Sequence, residues 1–107
     1  MKIEKATPPV WRSMLYVPAT SEKFIEKAHE RGADAIKIDL EDAVALAEKP
    51  RARTLVRGAA KTVARGSADV LVRINRPLRM AVEDLEASVW PEAVSYTHLT
   101  LPTIYSV

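Results

Sequence analysis

Cysteine is absent from the 107 residues. Its absence excludes disulfides, thiolate zinc sites, iron–sulfur clusters and cysteine nucleophiles, and makes a reducing cytoplasm the default compartment. Glycine is scarce, with three residues scattered along the chain, so no glycine-rich loop of the Walker or dinucleotide type is there to cradle a phosphate. No apolar run approaches the roughly 20 residues of a membrane span. The opening residues carry Lys2 and Lys5 with no apolar stretch behind them, which excludes a secretory signal there. A large excess of one charge is missing too. Sixteen Lys and Arg against fourteen Asp and Glu leave +2, too little to imply a nucleic-acid or membrane partner.

What is present is the balance of an ordinary globular protein. Hydrophobic residues make up 48% and charged residues 28%, a mixture that favours a folded core over disorder. A chain of this length fits one small domain, burying about two-thirds of the surface its unfolded form exposes.

The apolar pattern alternates between two periods. Residues 13–17, Ser-Met-Leu-Tyr-Val, form a short β-prone run stopped by Pro18. Thr20 or Ser21 then caps a helix carrying Phe24, Ile25 and Ala28 on one face, with Gly32 as its left-handed stop. In residues 35–40, Ile36, Ile38 and Leu40 alternate with Lys37, Asp39 and Glu41, the period of a strand. Pro50 opens a second helix whose apolar side is Ala52, Val56, Ala59, Ala60 and Val63, and Gly66 ends it. Residues 69–75 form a third strand, with Val70, Val72 and Ile74 opposite Leu71, Arg73 and Asn75. A third helix, residues 79–89, presents Met80, Val82, Leu85 and Val89 before Pro91.

This β-α-β-α-β-α order predicts an α/β fold with parallel strands and right-handed crossovers. An open doubly wound sheet expects strands apolar on both faces, whereas two of these strands carry charge on the second face. An incomplete (β/α)8 TIM barrel, its first three βα units only, accounts for that, because the polar face becomes the interior and its carboxyl-end side chains reach the mouth. Asp39, Glu41, Arg73 and Asn75 are the residues so placed. A whole barrel needs about 250 residues. The division expected is a lead over residues 1–11, the amino-terminal part of the barrel over 12–94, and a non-native tail over 95–107. That tail lacks Lys, Arg, Asp and Glu altogether, and resembles the translation of sequencing-adapter DNA.

Three carboxylates crowd the end of the second strand in Asp39-Leu-Glu-Asp42. Like charges this close repel unless a cation or hydrogen-bond donors sit among them, and oxygen-rich sites suit Mg²⁺. The structural alternative has Asp42 capping a turn and Glu41 solvated. Arg73, on the polar face of a central strand, keeps its charge and requires an anionic ligand or a structural ion pair with Asp39 or Glu41. Lys49, Arg53, Arg57, Lys61 and Arg65 recur every fourth residue, the pattern of a solvated outer helix face or of a basic binding surface. His29, read as mid-helix, and His98 have no partner at readable spacing.

Residues 12–19 (Arg-Ser-Met-Leu-Tyr-Val-Pro-Ala), Lys27-Ala28, Ala33-Asp34, residues 39–44 (Asp-Leu-Glu-Asp-Ala-Val), Lys49 with Arg53, and residues 72–75 (Val-Arg-Ile-Asn) stand together in one order. In that set the chain resembles the HpcH/HpaI aldolase and citrate lyase beta-subunit (CitE-like) superfamily, in particular its malyl-CoA lyase-like CoA ester lyases. The resemblance implies Mg²⁺-dependent cleavage or formation of a carbon–carbon bond in an acyl-CoA such as malyl-CoA, citramalyl-CoA or citryl-CoA. It makes Arg73 the catalytic, substrate-contacting arginine, and has Tyr16 and Lys27 hold substrate or CoA. Glu41 and Asp42 become carboxylates acting on the metal through water, its direct ligands standing on later strands. It also implies a cytoplasmic homo-oligomer for the complete parent. Ser21 departs from the pattern, standing where malyl-CoA lyases carry a substrate-contacting arginine, and this counts against malyl-CoA itself. The 107-residue chain alone is expected to be inactive, and Arg73→Ala in the parent to abolish turnover without unfolding it. A barrel aldolase for free 2-oxo-3-deoxy acids and a non-catalytic basic binding module are the competing expectations.

Overall fold

The computed structural model describes residues 10–88, together with the backbone of residues 97–100. Strands β1 (Met14–Pro18), β2 (Ala35–Asp39), β3 (Asp69–Arg73) and β4 (Thr97–Thr100) alternate with helices α1 (Glu22–Ala28), α2 (Lys49–Val63) and α3 (Leu78–Ser88). All neighbouring strands are parallel, in the order β1-β2-β3-β4. The mixed α/β architecture with a parallel sheet therefore agrees with the alternation of periods in the sequence. The third strand–helix pair leads into β4, which the sequence reading had placed inside the tail without a strand. Two threonines and a leucine in Thr97-His-Leu-Thr100 suit extended backbone.

The helices cover one face of the sheet. Val17, Ile36, Ile38, Leu40, Val70, Val72 and Ile74 meet Ile25 and Ala28 of α1 and Ala52, Val56, Ala59, Ala60 and Val63 of α2 in one cluster. The face of α2 is the one its periodicity predicts. Its alanines let the helix approach the strands closely, while Val56 and Val63 are fully buried, each contributing about 1.5–3 kcal/mol of apolar burial. Ser21, rather than Thr20, caps α1, accepting from the Phe24 N–H at 3.5 Å. Gly32 takes the left-handed conformation at φ 76°, which a side chain would resist.

Three expectations need correction. The core-facing side of α3 consists of Ala81, Asp84, Leu85 and Ser88, spaced as one helical stripe, while Val82 is 46% exposed. Leu85 is on that side as expected, but two of those positions are polar, so hydrophobicity alone misplaced Val82, and Val89 lies outside the described residues. His29 is the carboxyl cap of α1 rather than a mid-helix residue. The stripe of five cations running along α2 is not uniformly solvated, because its first two members turn inward to partners described below. No helix among the described residues is long and apolar enough to cross a membrane.

Candidate functional site

Parallel register brings the chemistry together. Pro18, Asp39 and Arg73 share one row across β1, β2 and β3, and Tyr16, Lys37 and Leu71 share the row two residues earlier. On the face away from the helices Arg73 reaches Asp39 through both limbs of its fork, Nε to Oδ1 at 2.9 Å and Nη2 to Oδ2 at 2.6 Å. The same two carboxylate oxygens accept the N–H groups of Glu41 (2.8 Å) and Ala43 (2.9 Å). Asp39 thus does two jobs. It orients the guanidinium, and it folds the chain after β2 into a turn that returns Glu41 and Asp42 to the same cation. Their nearest oxygens lie 3.6 and 3.8 Å from Arg73 nitrogens.

Charge follows the geometry. Burial pushes the fully enclosed Asp39 carboxyl up, but the hydrogen bonds from Arg73, Glu41 and Ala43 outweigh it and leave it below the usual carboxylate value. The guanidinium is held still more firmly protonated by Asp39 and the two further acids. Tyr16 lies against it, with its ring centroid 4.7 Å from Arg73 Cζ, a cation–π contact on a half-exposed ring.

Arg73, Tyr16, Glu41 and Asp42 are therefore gathered on one face, as the sequence reading required. Lys27 is not among them. It sits near the end of α1 with its side chain 59% exposed, 3.9 Å from Glu30, beside a shallow apolar cavity of about 310 Å³ whose lining includes Leu15, Val17, Phe24 and Tyr16. Tyr16 is the residue that cavity shares with the arginine cluster.

Asn75, expected beside Arg73, faces elsewhere. Its N–H and Nδ2 both donate to Asp84 Oδ2 at 2.7 Å, and Nδ2 also donates to the Leu40 carbonyl at 2.8 Å. Asp84 Oδ1 accepts from Arg53 Nε at 2.7 Å, and Arg53 Nη1 pairs with Glu83 at 2.6 Å. Lys49 Nζ donates to the carbonyls of Leu40 (3.1 Å) and Glu41 (2.8 Å). Lys49 thus clamps the β2 turn and Arg53 ties α2 to α3, which takes both out of a basic binding surface. A buried carboxylate must have partners. Nothing local in the sequence of α3 marked Asp84 as one, although an acid on the core stripe of a helix is a signal in itself.

The carboxylates do not form a metal cage among themselves. Both Asp39 oxygens are committed to Arg73 and the backbone, and no group of three or more His, Asp or Glu among the described residues is arranged to hold a cation.

The citrate lyase subunit beta of Leuconostoc mesenteroides subsp. cremoris is 50% identical over 64 residues, covering 60% of this chain and 21% of that protein. A (3S)-malyl-CoA thioesterase of Cereibacter sphaeroides is 48% identical over 65 residues, covering 61% of this chain and 23% of that protein. The chain therefore spans about a quarter or less of the length of these relatives. Among solved structures, CitE of Mycobacterium tuberculosis complexed with the triphosphate group of ATP superposes with a TM-score of 0.54 at 31% identity, over 83% of this chain and 37% of that one. The citrate lyase beta subunit of M. tuberculosis complexed with oxaloacetate and magnesium gives 0.51 at 29% identity, over 82% and 35%. Residues 12–95, well over half of the sequence, match the model of HpcH/HpaI aldolase/citrate lyase, and the chain belongs to that family.

Proposed function

We propose that this chain is the amino-terminal part of a CoA ester lyase, the first βα units of a (β/α)8 barrel that cleaves or forms a carbon–carbon bond in an acyl-CoA. The observation that carries the reading is the fork of Arg73, held by buried Asp39 at the carboxyl ends of parallel strands, where such barrels do their chemistry. Cleavage of this kind leaves an acyl-CoA enolate, and a positive charge fixed in advance near its oxygen stabilises it without reorganisation. Asp39 supplies that fixity, since both of its oxygens are already used. Arg73 hydrogen bonds run through Nε and Nη2 among the described residues, which leaves the Nη1 edge for a carboxylate or thioester oxygen. Tyr16 packs against the guanidinium and limits its water.

The homology supports the same substrate class, because the relatives are named for citrate lyase and malyl-CoA chemistry. Mg²⁺ enters by way of the M. tuberculosis relative. In the whole protein Glu41 and Asp42 act on it through water, with direct ligands elsewhere, and Lys27 contacts the CoA portion from the end of α1. The whole protein is a cytoplasmic homo-oligomer in this reading, and residues 95–107 are a non-native end.

The test has two arms. The 107-residue chain incubated with Mg²⁺ and malyl-CoA or citramalyl-CoA should release no acyl-CoA product above background. In the complete protein, Arg73→Lys should lower kcat at least about a hundredfold, the scale of losing one pre-set oxyanion donor. Retained turnover in that variant would remove Arg73 from the chemistry.

A further inference from the structure

Lys37 stands on the same face as Arg73 and has no acidic partner among the described residues. Its cross-strand neighbours are Tyr16 on β1 and Leu71 on β3, one neutral and the other apolar and buried. Asp39 lies two residues along the same strand face, yet its oxygens are already occupied by Arg73 and two backbone N–H groups. The partner Lys37 does have is the Tyr16 hydroxyl, which accepts from Nζ at 3.3 Å, with the ammonium 5.0 Å from the ring centroid. An ammonium has three donors, and one long bond to a phenol neither uses them nor neutralises the charge.

The Tyr16 ring is therefore flanked by two cations of different standing. Arg73, 4.7 Å from the centroid, is compensated by an acid and two weaker acidic neighbours. Lys37 is not. An ammonium with one long bond to a phenol keeps donors open to an anion.

We propose that Lys37 is an anion-binding residue of this site, placed to take one carboxylate of a small dicarboxylate whose other carboxylate rests on the free edge of Arg73. Tyr16 is the positioning residue between them, its hydroxyl holding the ammonium and its ring the guanidinium. This rests on the reading of Arg73 as a ligand contact and adds to it a second point of charge recognition, hence selectivity for two negative groups over one.

Binding of malonate and of acetate to the full 107-residue chain, followed by amide chemical-shift titration, tests it. The wild type should bind malonate more tightly. Lys37→Met should weaken malonate about tenfold, the value of one charge-assisted hydrogen bond, and leave acetate unchanged, whereas Lys37→Arg keeps the preference. Thermal melts identify any variant that fails to fold, and Lys37→Gln, which retains a polar head, then takes the place of Lys37→Met. Malonate affinity unaltered in both neutral variants overturns the proposal; if Arg73→Lys still weakens both anions, the role of Arg73 survives that failure. A wild type that binds neither anion overturns both.

Discussion

Arg73 and Asp39 lie 34 residues apart in sequence and side by side in register, joined by two parallel hydrogen bonds, with the carboxylate fully enclosed. Removing the guanidinium strands a buried negative charge. Arg73→Ala is therefore expected to lose about 3–5 kcal/mol, a large part of the 5–15 kcal/mol that holds a typical domain together. The sequence reading expected the complete parent to stay folded with this substitution; the enclosed partner adds the expectation that it loses stability. Urea unfolding should show the loss, and Arg73→Lys should keep most of the stability while losing the fork. Equal stability of Arg73→Ala and wild type would contradict the pairing.

The pH dependence follows from the same pair. Asp39 has its native carboxyl below the ordinary 3.8, so the folded chain keeps the charge where the unfolded chain already takes up a proton. Its contribution is complete above about 3.8 and fades as pH falls through that value towards the native one. Following the Asp39 side-chain carboxyl carbon by NMR during an acid titration should give a midpoint under 3.8. A midpoint at or above it would mean that burial outweighs the donors.

Asp84 gives a second prediction away from Arg73. It accepts from Arg53 and twice from Asn75 while fully buried. Asp84→Ala should cost about 3–5 kcal/mol by leaving the arginine without its enclosed partner. Because Asn75 also holds the Leu40 carbonyl, amide exchange should accelerate through residues 40–44 as well as in α3. By contrast, the solvent-facing ion pair of Arg12 with Asp34 at 3.0 Å should matter little, even though Arg12 holds the Asp34 carboxyl down at about 2. Denaturant midpoints of Asp84→Ala and Asp34→Ala compare the two directly.

Gly58 lies inside α2, and a Cβ built there meets nothing within 4 Å. Neither a turn nor a close approach explains it. Gly58→Ala should therefore stabilise the chain by about 0.5–1 kcal/mol through helix propensity and a less flexible unfolded state. An unchanged or lower melting temperature would point to an unseen constraint at that position.

The strands, their order, the apolar side of α2 and the stop at Gly32 were legible in residues 13–75, because period and turn chemistry are local properties of the chain. The acidic run at Asp39 and the lone cation at Arg73 were legible as charges in need of partners. Which partner each would take was not, since that depends on the register between parallel strands separated by a helical crossover. Tertiary structure alone decided that Asp39 rather than Asp42 makes the turn, that Lys49 leaves the basic stripe to clamp it while Arg53 leaves it for α3, that α3 turns Asp84 inward, and that Lys37 meets a phenol. Periodicity sets the facing of side chains inside β1, β2, β3 and α2, but not at Asn75 beyond the end of β3 or on α3, and electrostatic pairing is settled only when distant segments are brought within hydrogen-bonding distance.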